Sequence, residues 1–163
     1  DNKQAIIGTY GVNDFHMGDM YTKGALMLHT LQHVINNDTV WFGLLRSIQT
    51  QFAHQTITSD DVIQFINDYT KTDYTAFFRQ YLNHPAIPQL LLKFERRGKD
   101  TVVLYRWKTD EPAFAIPVQV TTTRNNFAFI QPTQQWKELN IGAMKRKDFR
   151  VDTSHFYVGV KEE

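Results

Sequence analysis

The hydrophobic period of this chain changes from 3.6 to 2 at a short proline-bearing segment, Pro85 to Pro88, and this constrains the fold more than any other feature. Upstream of it, apolar residues recur at helical spacing. Gly24, Leu28, Leu31 and Ile35, flanked by Met27 and Val34, predict a helix from Met20 to about Ile35, with Asp19 as its N-cap and Asn36-Asn37-Asp38 as its end. A second helix is expected after Asp38, burying Val40, Trp41, Leu44, Leu45, Ile48 and Phe52. A third, capped by Thr58 or Ser59, carries Val62, Ile63, Phe65, Ile66 and Tyr69. A fourth, about Asp73 to Leu82, has Phe77, Phe78 and Tyr81 in register.

Downstream, Val103, Tyr105 and Trp107 alternate with Val102, Leu104 and Arg106, and Phe114, Ile116, Val118 and Val120 alternate with smaller or polar neighbours. Arg96-Arg97-Gly98-Lys99 reads as a hairpin turn, and Asn125-Asn126 suits another because Asn tolerates positive φ. Further short strands are expected near Phe127–Ile130, Trp136–Ile141, Phe149–Val151 and Phe156–Val160. The fold class is therefore α+β: about four helices over residues 1–87, then a small antiparallel β-sandwich over 88–163.

Charge supports the same boundary. Residues 1–88 carry 5 basic and 8 acidic side chains, and residues 89–163 carry 13 and 9. The basic excess is spread along the later segment, without the concentrated face of a nucleic-acid-binding protein, so no nucleic-acid partner is expected. No apolar stretch approaches the roughly 20 residues that span a bilayer, so no membrane segment is expected. Absence of Cys excludes disulfides, thiolate metal sites and a cysteine nucleophile. The first residues, Asp1-Asn2-Lys3-Gln4, show neither a basic n-region nor an apolar h-region, and the chain is expected to begin inside a longer protein.

Metal chemistry has little to work with. His29 and His33 stand four apart, as in the zincin pattern H-E-x-x-H, but Thr30-Leu31-Gln32 separate them and residues 1–94 contain no Glu. The pair is read as half-exposed and without catalytic role, and no metal ligand is assigned to this chain. No G-x-S-x-G elbow or Gly-rich phosphate loop occurs, so serine nucleophiles and nucleotide sites have no support. Taken alone, Tyr21 at a helix start is an ordinary core-edge aromatic.

Several segments in order nevertheless resemble the aminopeptidase N family of zinc metallopeptidases, of gluzincin type. Tyr21, Lys23, Gly24 and Ala25 match the family's Tyr-x-Lys-Gly-Ala-like run. Ile57-Thr58-Ser59-Asp60-Asp61 followed by Phe65 resembles its Thr-rich helix start. Thr72-Asp73-Tyr74 leading to Phe77-Phe78-Arg79-Gln80-Tyr81-Leu82 resembles its segment ending in Phe-Phe-x-Gln-Trp-Leu. Ala86-Ile87-Pro88 matches the link to the next domain, and Ala113-Phe114-Ala115-Ile116-Pro117-Val118 a strand within it. Gly8-Thr9-Tyr10-Gly11-Val12 is similar to a loop ahead of the tyrosine in bacterial members.

The resemblance implies the C-terminal part of a thermolysin-like catalytic domain, residues 1–87, followed by a β-sandwich domain, 88–163. It implies a parent protein that removes N-terminal residues from peptides, with zinc as Lewis acid and a Glu as general base. The zinc ligands, that Glu and the amine-binding Gly-x-Met-x-Asn loop lie upstream in the family, so an upstream catalytic half is the implied partner and this chain alone is expected to be inactive. Tyr21 is the implied catalytic residue, giving its phenolic hydroxyl to the oxyanion of the tetrahedral intermediate. A phenol is a neutral donor at pH 7. Gly24 would allow close packing behind it, whereas Lys23 reads equally as a surface lysine or a motif residue without a role. The alternative is a non-catalytic helical-plus-sandwich interaction module in which Tyr21 only packs.

Overall fold

The computed structural model describes residues 2–9, 11, 12, 19–123 and 126–163. Four helices come first: α1 (Asp19–Ile35), α2 (Asp38–Gln51), α3 (Ser59–Thr70) and α4 (Thr75–Asn83). Six strands follow: β1 (Gln89–Arg97), β2 (Asp100–Lys108), β3 (Val118–Thr123), β4 (Asn126–Ile130), β5 (Lys137–Asn140) and β6 (Gly159–Glu162). The α+β class expected from the change of period is the observed one.

Helix boundaries follow local chemistry. Asn36, at φ +50°, ends α1, and the side chain of Asn37 accepts from the Val40 N–H at 3.1 Å to start α2. Thr58 caps α3 in a reciprocal box, its hydroxyl accepting from the Asp61 N–H at 3.3 Å while the Asp61 carboxylate accepts from the Thr58 N–H at 2.8 Å. Lys71, at φ +56°, closes that helix in the left-handed region. α1 begins at Asp19, and the expected Asp19 cap lies outside what is described of that residue.

The face that α1 buries differs from the one expected. Lys23, Met27, Thr30 and Leu31 are buried, while Leu28 is 42% exposed. The apolar stripe is thus rotated toward two polar residues, because both find hydrogen-bond partners inside.

The β1–β2 hairpin closes through Gly98-Lys99, as the sequence predicts, with Gly98 at φ +64°, a conformation suited to the first central position of a two-residue loop. Asn126 opens β4, whereas Asn125 lies outside the described residues. Two sheets result, one in the order β5-β2-β1-β6 and one of β3-β4. All pairs are antiparallel except β6, which joins β1 in parallel. The runs around Phe114 and Phe149 do not form strands; Val151 makes only a single bridge to Val120. Phe114 and Ile116 are buried all the same, at 1% and 4% exposure, so their alternation reported burial, not a ladder.

One hydrophobic cluster runs through helices and strands together, from Leu31 and Leu44 through Phe77 and Tyr81 to Leu90, Trp107, Phe114 and Phe156. Trp107 donates its indole N–H to the Ile116 carbonyl at 3.1 Å and sets its ring against Phe114. On the opposite face of β1 and β2, Trp136 lies across Lys93 and Arg106 at 4.6 and 4.9 Å. Among the described residues no helix is long and apolar enough to cross a membrane.

Several carboxyls sit below their ordinary range. Hydrogen bonds from Thr58 lower Asp61, those from Thr75 lower Asp73, and the Arg97 guanidinium lowers Glu138. Burial alone would raise Asp152, but bonds from His155 and Ser154 outweigh it and leave the group lowered. Depressed folded-state values stabilise above the unfolded value of about 4 and lose that contribution as pH falls through the folded ones. Urea unfolding is therefore expected to show no loss from these groups between pH 7 and 5, and a falling midpoint below about pH 4.

Candidate functional site

The first turn of α1 presents Tyr21 outward and Lys23 inward. Tyr21 is 75% exposed, the most open of the large hydrophobic side chains among the described residues. Beside it, Met20 borders a shallow groove of about 440 Å³ with Gly8, Thr9 and Val12, so the loop matched upstream of the tyrosine lies next to the tyrosine's own turn. Tyr10, in that loop, falls outside the described residues.

Lys23 is fully buried, which removes the surface-lysine reading. Its ammonium donates to the carbonyls of His84 and Pro85, the latter at 3.2 Å. Those carbonyls follow the end of α4, where a cation also meets the negative end of the helix dipole. Lys23 thereby fixes the turn that carries Tyr21 to the segment leading into β1.

Three further residues strengthen this joint. Thr30 donates to the Leu26 carbonyl at 2.8 Å and accepts from the Tyr157 N–H at 2.8 Å, bridging α1 to the approach of β6. Gln80, with no exposed surface, accepts from the N–H groups of Asp110 and Glu111, each at 2.9 Å, and donates to the Ala86 carbonyl at 3.0 Å. The buried Tyr81 hydroxyl donates to the Tyr157 carbonyl at 2.7 Å, and burial pushes its phenol well above the ordinary range. Spacing alone only hints at these anchors: Lys23 and Thr30 fall in step with Met27 and Val34, and Gln80 stands between Phe78 and Tyr81, but their partners are distant in the sequence.

Within this chain nothing described packs closely on Gly24. A Cβ built there meets nothing within 4 Å among the described residues, so no close packing requires glycine. Gly24→Ala is accordingly expected to stabilise this chain by about 0.5–1 kcal/mol through α1 propensity, read as a raised Tm.

His29 and His33 acquire a third neighbour, His155. Ring centroids lie 4.4 Å apart for His29 and His33 and 4.3 Å for His33 and His155. His155 is held by Asp152 at 2.7 Å, and the Nδ1 of His33 lies 2.9 Å from the His29 carbonyl. Among the described residues no three His, Asp or Glu side chains are placed to hold a metal ion. The donor set among the described residues therefore does not fit the zinc that the family resemblance implies.

No protein-family model matches the chain, and no curated protein matches it in sequence. Among solved structures, an aminopeptidase A of Legionella pneumophila, crystallised with aspartic acid, shares the fold with a TM-score of 0.69 at 14% identity. The match covers 91% of this chain and 18% of that one, so the chain corresponds to less than a fifth of the neighbour's length. The helices and strands described above thus have the fold of one segment of an aminopeptidase.

Proposed function

We propose that this chain is a segment of a zinc-dependent aminopeptidase that releases N-terminal residues from peptides, and that Tyr21 donates to the oxyanion formed at the scissile carbonyl. The observation that carries the reading is a tyrosine within Tyr-x-Lys-Gly-Ala that stands open on a helix start, anchored from behind by Lys23, on an aminopeptidase fold. Such a hydroxyl can reach a neighbouring surface without losing its own support. The remaining groups of the site, including any metal ligands, would belong to an upstream half outside the chain. Residues 1–87 would complete the catalytic domain and residues 88–163 form a β-sandwich domain behind it.

The test is direct. The isolated chain, incubated with zinc and an aminoacyl p-nitroanilide, is expected to release no nitroaniline, whereas a longer protein with an intact metal-binding half does so. Hydrolysis by the isolated chain, with stoichiometric zinc bound, would contradict the assignment. Inactivity of a longer protein that carries both parts would favour the interaction-module alternative.

A further inference from the structure

The strand-rich half holds a groove of about 950 Å³ that the proposed peptidase role does not use. It lies between the β1–β6 edge and the segment from Lys145 to Thr153. Its apolar floor is Leu92, Phe94, Phe149, Val151 and Val160, with the Phe94 and Phe149 rings edge to face at 5.5 Å and Val160 42% exposed. The strand register places Leu92 and Val160 on the same face as the core side chains Leu90 and Val103, so the groove is continuous with the apolar interior. Leaving such a floor open to water is unfavourable, and an apolar occupant relieves it.

The rim is cationic. Lys145, Arg146, Lys147 and Arg150 border the groove against a single acidic residue, Glu162. Arg146 pairs with Glu162 and lies over the Phe94 ring at 5.7 Å, while the charged ends of Lys145, Lys147 and Arg150 make no ion pair among the described residues. Three uncompensated cations around an apolar trough complement an occupant that is acidic and apolar at once.

The backbone indicates its shape. β6 is the edge of its sheet, hydrogen-bonded to β1 alone, and Val151 across the groove joins the second sheet through one bridge. An extended segment laid beside β6 would meet unpaired backbone groups, with alternate side chains directed to the floor and the rim. We propose that this groove binds an extended acidic peptide segment, carrying Asp or Glu in alternation with aliphatic or aromatic residues, by strand addition to β6.

A fluorescein-labelled heptapeptide alternating Glu with Val and Phe provides the test, by anisotropy against the 163-residue chain. Saturable binding is expected at low salt, weakened at least tenfold in Lys145→Glu/Arg150→Glu and several-fold at 0.5 M NaCl. Amide exchange across Gly159–Glu162 should slow on binding. The same peptide with Lys for Glu should not bind. Circular dichroism establishes that the double variant is folded, and Val160→Asp, which alters the floor and leaves the cations, is expected to weaken binding too. Equal affinity for the double variant, unchanged exchange in β6, or binding to phosphatidylserine vesicles but not to the peptide would each overturn the proposal.

Discussion

Replacing Tyr21 by phenylalanine in the proposed longer peptidase is expected to lower turnover by about 10²–10³, with KM changed little. The substitution removes one hydroxyl and keeps the ring, and the ring is 75% exposed in this chain, so the fold has little stake in it. A loss of that size corresponds to about 2.7–4 kcal/mol, the range for one preorganised donor to an oxyanion. Packing at an exposed position is worth far less, so the magnitude separates the two readings of the residue. An unchanged turnover would leave Tyr21 as surface, and a raised KM with unchanged turnover would make it a substrate contact outside the chemistry.

Gln80→Leu is the largest stability change expected. The buried amide holds two N–H groups, of Asp110 and Glu111, and one carbonyl, of Ala86, and leucine satisfies none of them. Each buried polar group left without a partner costs about 1–3 kcal/mol. Asp110 is exposed and its N–H can turn to water, so the net cost is placed at about 2–4 kcal/mol, not the sum of three. For a chain of this size that lowers Tm by roughly 4–16 °C, readable by thermal unfolding. A shift under about 2 °C would mean that Gln80 does not fasten α4 to the loop after β2.

The two halves of the sequence were legible to different depths. The four helices appear close to their expected positions because each carries an apolar period and its own end signals, such as Thr58 with Asp61. The β1–β2 hairpin was equally plain, since Gly98 supplies the turn and Val103, Tyr105 and Trp107 supply one face. Later strands were harder. Phe114 and Ile116 alternate without pairing, and β6 runs to Glu162, past the expected Val160, because it is placed by a parallel partner, β1, about 70 residues earlier. Such a pairing leaves no local mark.

The site was legible only in outline. The run Tyr21-Thr22-Lys23-Gly24-Ala25 marks the first turn of α1, but it does not tell that Tyr21 stands exposed while Lys23 is buried. A lysine reads as solvent-facing on composition alone. Its burial depends on carbonyls at His84 and Pro85, some 60 residues away, which no local pattern reveals. His155 joined His29 and His33 for the same reason, through a long-range contact between α1 and the approach to β6.

The most direct test of Tyr21 as an oxyanion donor is the affinity of a phosphinic dipeptide, a tetrahedral analogue, for the longer protein and its Tyr21→Phe variant. Ki for the analogue should rise by the same factor of about 10²–10³ by which kcat/KM falls, because both report the same hydrogen bond. An unchanged Ki alongside a lost kcat/KM would contradict the account.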